Sequence, residues 1–322
     1  MTDDAVLAWL RDSDPMLRWQ VERDLAGEPA RVWRATRGRI ATEGHGAALL
    51  SHQDADGQWA GGAFFPAGMT HHPAPGEQPY TATTWTLTML REGGLEAGAL
   101  AGTADLLGAH SRWEYDDLPY WGGEVDVCIN AMTLANGAWL GADVTDLAAW
   151  FPDHALADGG WNCEWVEGSV RSSFHSTINA VRGLLAYERM TGDASVREAR
   201  HRGEEYLLER RLRYRASTGE RVGAWADLVV WPYRAPFTLL KAVDHLTEAA
   251  EVDGTPPDDR AREAVERLRA RRGADGRWRQ EARFGGDTWV EHDVPPGEPS
   301  RWLTFLAERA LRRWDRAGGG DG

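Results

Sequence analysis

One short stretch, GGEVDVCINAM, combines two residue types that bind metals. It holds Asp126 and Cys128 on one turn, where a helical pattern begins. A carboxylate and a thiolate are both zinc ligands. An aspartate at this position also caps a helix, and a cysteine also packs as a small apolar residue. The only other cysteine, Cys163, stands in GGWNCEW, and three roles stay open for it: metal ligand, nucleophile or packed thiol.

The composition indicates a folded protein that does not bind nucleic acid. The 322 residues are 42% apolar and include 17 tryptophans, which is enough for a core. The net charge of −14 leaves no dense basic face, and almost all basic residues are arginine, with Lys241 as the only lysine. Two cysteines do not make a disulfide framework. We see no signal peptide and no membrane span, and we expect a cytoplasmic protein.

Helical signals dominate the chain. Ser13-Asp14-Pro15 reads as a cap and a first-turn proline before a helix. Similar apolar stripes recur in stretches such as STINAVRGLLAYERM and FTLLKAVDHLTEAAE, and VGAWADLVVW is a weak strand candidate at best. The pattern predicts an all-α protein.

Three loops repeat the pattern Asp-Gly-x-Trp. The copies end at Trp59, Trp161 and Trp278, about a hundred residues apart, which is close to two helical hairpins each. Asp-Gly favours a tight turn, after which the tryptophan can fold back between neighbouring helices. A period of this kind is typical of stacked helix pairs. We therefore predict that the three tryptophans occupy equivalent hairpin junctions.

The first copy, LLSHQDADGQW, resembles the Q-x-x-x-G-x-W repeat of squalene-hopene cyclases and protein prenyltransferase β subunits. Gln53, Gly57 and Trp59 fit that pattern, and the other two copies lack the glutamine. The resemblance implies an (α/α) toroid: helical hairpins in a ring around a central cavity. It would cover residues 43–322 as one domain of a small stand-alone member, after an N-terminal helical segment at 1–42.

The same resemblance implies a zinc site. Prenyltransferase β subunits bind zinc through Asp-x-Cys at a helix start and through a histidine in an aromatic-His-hydroxyl triplet before Gly-Leu. The matching residues here are Asp126, Cys128, Phe174-His175-Ser176 and Gly183-Leu184. Asp126, Cys128 and His175 would leave an open fourth position, as a catalytic zinc requires. With Cys163 as a fourth ligand, the zinc would be structural.

Candidate catalytic residues lie near this site and in a late loop. The Asp-x-Asp-Asp acid of squalene-type cyclases is absent, and its nearest match runs from Glu124 to Cys128. Glu124 and Cys163 are therefore candidates beside the metal, and His292 is a candidate acid or base in the loop WVEHDVPPGEPSRW. His71 and His72, in a Pro-rich loop, are expected to be a solvated pair.

The diphosphate-binding residues of the prenyltransferases are missing where the family would place them. Arg171, Arg182 or Arg234 could supply that charge from elsewhere in the chain. Protein prenylation is therefore not expected, and no α-subunit partner is implied. Three tryptophans are predicted to line the cavity: Trp85, Trp121 and Trp165.

These observations predict a terpenoid cyclase- or prenyltransferase-like enzyme, with zinc facing an apolar cavity that binds a hydrophobic small molecule. Two alternatives remain open. One is a non-catalytic toroid with structural zinc that binds a hydrophobic ligand or a partner protein. The other is a carbocation cyclase that uses a non-standard acid.

Overall fold

A computed structural model describes residues 3–69 and 77–318 of the chain. These ranges contain thirteen α-helices and only isolated β-bridges, which confirms the all-α prediction. The helices are α1 (Asp4–Arg11), α2 (Pro15–Gln20), α3 (Ala30–Gly38), α4 (Gly44–Leu50), α5 (Thr83–Gly93), α6 (Thr103–His110), α7 (Val127–Leu140), α8 (Thr145–Asp153), α9 (Phe174–Thr191), α10 (Arg197–Glu209), α11 (Leu239–Asp253), α12 (Arg262–Ala270) and α13 (Arg301–Gly318). Among the helices of these ranges, none is long and apolar enough to cross a membrane.

The helices form a closed ring. Inner helices α5, α7, α9, α11 and α13 alternate along the chain with outer helices, and each inner helix contacts the next. Between α13 and α5 lie α2 and a π-helical turn, Val21–Leu25. The Trp19 indole N–H donates to the Gly93 carbonyl at 2.8 Å, and the Gln20 amide donates to the Glu92 carbonyl at 3.2 Å. These contacts close the predicted (α/α) toroid.

The three repeat tryptophans occupy equivalent junctions, as predicted. Each indole is fully buried and donates to a carbonyl ten residues earlier, at the end of an outer helix, at 2.7–2.9 Å. Each tryptophan backbone N–H donates to a threonine hydroxyl in the first turn of the next inner helix, at 3.0–3.1 Å. The partners are Leu49 and Thr83 for Trp59, Phe151 and Thr177 for Trp161, and Leu268 and Thr304 for Trp278.

The glycine two residues before each tryptophan permits this turn. Gly57, Gly159 and Gly276 all have positive φ, between 75° and 95°, where residues with a Cβ are strained. The turn therefore needs glycine, and the tryptophan that follows it joins an outer helix to an inner one.

The N-terminal segment takes part in the ring. The Asp14 carboxylate caps α2 by accepting the Met16 N–H at 2.9 Å, and it also accepts the His45 N–H at the start of α4, at 2.8 Å. One side chain thus joins α2, in the N-terminal segment, to α4, which follows that segment.

Candidate functional site

A cavity of about 360 Å³ lies on the ring axis, between the C-terminal parts of α5, α7 and α9 and the sides of α11 and α13. Its wall is both aromatic and charged. The aromatic residues are Trp19, Trp139, Trp231, Tyr233 and Trp302. Seven arginines and three carboxylates complete the charged part: Arg23, Arg37, Arg91, Arg182, Arg189, Arg309, Arg313, Glu92, Asp244 and Glu248.

Most of the charge in this wide part is compensated. Arg309 bonds Asp244 at 2.9 Å, and Arg182 bonds Glu92 at 3.2 Å. Helix C-terminal ends also carry partial negative charge, which favours nearby cations. The arginines of the wide part are therefore explained by the fold itself.

A narrower cavity of about 50 Å³ adjoins the wide part and shares Arg91, Glu92, Arg182 and Tyr233 with it. Four cations line the narrow part, among them Arg234 and Lys241, against a single carboxylate, Glu92. The buried Tyr233 hydroxyl has no hydrogen-bond partner among the described residues. The narrow part is thus an electropositive pocket, and its Tyr233 hydroxyl is available to bond a ligand.

Arg234 lies in this wall without an anionic partner. It is 5% exposed, and its guanidinium stacks on the Tyr80 ring at 3.8 Å. In the part of the chain that the structure describes, its side chain forms no ion pair and no hydrogen bond. Burial lowers the pKa of Arg234 to about 10. A buried cation without a counter-ion is unfavourable unless a ligand supplies one.

Lys241 is the second unpaired cation. It is 2% exposed, and its ammonium donates to the Asn179 side-chain oxygen, to the Arg234 carbonyl at 2.8 Å and to the Pro236 carbonyl at 3.4 Å. No carboxylate in the described ranges pairs with it. Burial, then the Arg182 charge, lowers the pKa of Lys241 to about 7. Lys241 therefore changes charge near neutral pH.

The two cysteines meet next to this wall. The Cys163 thiol donates to the Cys128 sulfur at 3.4 Å, and the Asn179 amide donates to the same sulfur at 3.2 Å. The Cys163 and Asn179 hydrogen bonds lower the pKa of Cys128, and the Lys241 charge adds to this effect. The adjoining Cys128 sulfur and burial raise the pKa of Cys163. Asn179 therefore links the sulfur pair to Lys241.

The His175 imidazole contacts Phe237 and Trp225. Its Nδ1 accepts the Phe237 backbone N–H at 2.8 Å, and its ring lies 4.5 Å from the Trp225 ring. Burial, then the Lys241 charge, lowers the pKa of His175, so the neutral ring carries its proton on Nε2. A zinc ligand needs a nitrogen lone pair, and the available one already accepts a hydrogen bond.

Asp126 and Glu124 lie in the loop before α7. Asp126 is the N-cap residue of α7, and its backbone N–H donates to the Glu124 carboxylate. Burial raises the pKa of Glu124 to about 7. Glu124 is thus a half-buried carboxyl whose pKa lies near neutral pH, as a candidate acid or base requires.

The predicted zinc ligands do not converge as three. Among the described residues, the one group whose three ligand atoms lie within 4.8 Å of each other is His201, Glu204 and Asp253. Arg200, fully buried, already bonds both carboxylates of that group, at 3.0 Å and 2.6 Å. This group is therefore explained as an ion network in which the Arg200 guanidinium, and not a metal ion, neutralises the two carboxylates.

The late loop folds beside Arg234. His292, 7% exposed, and Arg234 both line a separate cavity of about 450 Å³. Burial, then the Arg234 charge, lowers the pKa of His292 to about 3, so its ring is neutral at pH 7. Burial raises the pKa of the adjoining Asp293 to about 6. The structure brings His292 beside Arg234, and within the described ranges no hydrogen bond or ion pair joins it to the cysteines.

The three tryptophans predicted for the cavity lie in different places. Trp85 is buried, and the Arg234 guanidinium carbon lies 5.6 Å from the centre of its ring. Trp121 and Trp165 donate their indole N–H groups to the carbonyls of Ala104 and Val125, at 2.9 Å and 2.8 Å. These two bonds fix neighbouring loops and helices together. The His71–His72 pair lies outside the described residues.

Sequence reasoning missed Lys241 and Asn179 as site residues. Lys241 carried one signal, because it is the only lysine in an arginine-rich chain. Asn179 carried none, since its role comes from contacts 51 and 62 residues away in the chain.

Comparison with known proteins adds a distant likeness to a solved structure. No protein-family model matches the chain, and a comparison with curated proteins found no match. The chain is similar to a solved structure of cellobiose 2-epimerase from Bacillus thermoamylovorans B4167, with a TM-score of 0.45 and 12% identity. That match covers 97% of this chain and 87% of the other. A likeness this distant says nothing about the reaction.

Proposed function

We propose that the protein is a toroid enzyme that acts on a small organic anion bound on the ring axis. One observation carries the proposal: Arg234 and Lys241 are buried at the narrow part, and no carboxylate in residues 3–69 or 77–318 pairs with either of them. An anionic oxygen of a ligand in the narrow part would supply the missing charge, and charge-assisted hydrogen bonds of this kind are strong. The Tyr233 hydroxyl would donate to the same group.

The body of the ligand would occupy the wide part. A volume of about 360 Å³ is within the usual range for small-molecule sites. The sequence predicted an apolar cavity, but this wall is both aromatic and charged, so its five aromatic side chains suit only an apolar part of the ligand.

Lys241 is the residue we assign to proton transfer. Its pKa of about 7 matches a general acid or base at neutral pH. Asn179 and the Arg234 carbonyl hold the amine in place, so it would donate or accept a proton at the atom next to the bound anion.

Sulfate binding should weaken as pH rises, because sulfate keeps its charge while Lys241 loses its own. Between about pH 6 and about pH 8 the protonated fraction of Lys241 falls roughly tenfold, and the affinity should follow. Below a pH of about 7 Lys241 is charged and attracts sulfate, and above that pH Lys241 is neutral and the attraction is lost. Calorimetric titration of the whole chain at both pH values measures this change.

Lys241→Met is the control for that titration. Arg182 and Arg234 face Lys241 and keep their charges over this pH range, so the variant should bind weakly with no pH dependence. Cys128 also faces Lys241. A pH dependence that persists in Lys241→Met would assign the titration to another group, such as Cys128, and contradict our assignment.

Zinc chemistry at Asp126, Cys128 and His175 is the alternative candidate. The contact between Cys128 and Cys163 favours it, since two thiolates on one zinc lie at a similar separation. The Phe237 bond to His175 and the missing third ligand count against it. These two observations favour the anion site over a catalytic zinc.

Elemental analysis of protein purified without added metal tests this alternative. Because only two donor atoms meet, we expect well below one zinc per chain. One zinc per chain, lost equally in Cys128→Ser and Cys163→Ser, would instead show a site closed by both thiolates.

A further inference from the structure

We infer that Cys128 and Cys163 are a redox modification site, which a hydroperoxide converts into an intramolecular disulfide. Their sulfurs lie 3.4 Å apart, in contact but not bonded. A disulfide needs a separation of about 2.05 Å, so the sulfurs must approach by little more than 1 Å. This inference does not depend on the proposed anion site.

The fold holds the two thiols together from both sides. Cys128 is in the first turn of α7, which is an inner helix. Cys163 begins a short 3₁₀ segment, Cys163–Glu167, whose Trp165 indole donates to the Val125 carbonyl just before α7, at 2.8 Å. The Ser176 hydroxyl accepts the Cys163 N–H at 3.0 Å. The contact between the thiols is therefore built from three elements.

Access and hydrogen bonding suit this chemistry. Cys163 is partly exposed, and Cys128 is buried behind it with 9% of its surface still accessible, so a small oxidant such as hydrogen peroxide would reach the pair from the Cys163 side. Asn179 donates to the Cys128 sulfur at 3.2 Å, and such a bond stabilises an anionic sulfur. The chain has no other cysteine to compete for the pairing.

The reaction balances with hydrogen peroxide as the oxidant. The Cys128 thiolate attacks one oxygen, the O–O bond breaks, and hydroxide leaves as a sulfenic acid forms on Cys128. The Cys163 sulfur then attacks the Cys128 sulfur, the S–O bond breaks and the S–S bond forms. Two thiols lose two electrons and two protons in total, and the peroxide becomes two waters.

Hydrogen peroxide treatment of the full chain, followed by intact mass measurement and thiol titration, tests the inference. We expect a loss of two hydrogens and a fall from two free thiols per chain to none, reversed by dithiothreitol. The bond closes a loop of 35 residues, so the oxidised protein should melt at a higher temperature.

Cys163→Ser and Cys128→Ser are the matched variants. Each should lose the two-hydrogen change, and Cys163→Ser should gain oxygen on Cys128 instead. Two free thiols that survive peroxide in the wild type, or covalent dimers in place of the internal bond, would overturn the inference. Sulfate binding by the reduced protein is measured separately, so failure of the anion site would not be confused with this result.

Discussion

Trp161→Ala is expected to lower the free energy of unfolding by about 3–5 kcal/mol, the range for a large buried aromatic side chain. The Trp161 ring is fully buried and packs against Gly203 of α10, where even a Cβ would lie 2.5 Å from the ring. Because Gly203 has no side chain that could fill the space, a cavity should remain. Urea denaturation with a constant m-value measures the change.

Two further variants separate the parts of this effect. Trp161→Phe keeps a ring but removes the indole donor to the Phe151 carbonyl, which then keeps only the His154 N–H at 3.3 Å, so we expect the lost hydrogen bond to cost about 0.5–1.5 kcal/mol. Trp150→Ala, at a partly exposed tryptophan on the neighbouring α8, should cost less than Trp161→Ala. Equal losses at Trp150 and Trp161 would contradict the junction role.

Arg234→Met is expected to stabilise the ligand-free protein while it removes anion binding. Burial disfavours the Arg234 cation by roughly 3 kcal/mol, judged from a pKa lowered from 12.5 to about 10. Stacking on Tyr80 offsets about 1–2 kcal/mol of this. The variant should therefore gain about 1–2 kcal/mol in the free energy of unfolding.

The sign of this effect follows from the lowered pKa. The folded-state pKa of about 10 lies below the usual 12.5, so the cost of the charge is present at every pH below about 10, including pH 7. Urea denaturation at pH 7 without added anion measures it. A loss of stability in Arg234→Met would mean that Arg234 is structural, and would remove the main support for the anion site.

The sequence predicted the architecture well because its signals are local. Asp-Gly turns need glycine with positive φ, and a tryptophan two residues later can only pack against the adjoining helices. The threonines that accept the tryptophan N–H groups were not predicted, since Thr83 and Trp59 are 24 residues apart. Nothing within one turn or one helix marks such a pair.

The site was only partly predictable, for the same reason. The sequence singled out Cys128 and Cys163, and the structure brings them into contact. It could not show that Phe237, 62 residues from His175, takes the imidazole lone pair. It also named Arg234 only as one of several possible charges, because its lack of a counter-ion is a property of the fold.

Calorimetric titration with pyrophosphate tests the central claim most directly. The wild type and Arg215→Met, which removes an exposed arginine outside the cavity, should each bind one pyrophosphate per chain. Arg234→Met should bind about tenfold to a hundredfold more weakly, the range for a lost charge-assisted hydrogen bond. Equal affinity in wild type and Arg234→Met, or no binding by the wild type, would contradict an anion site on the ring axis.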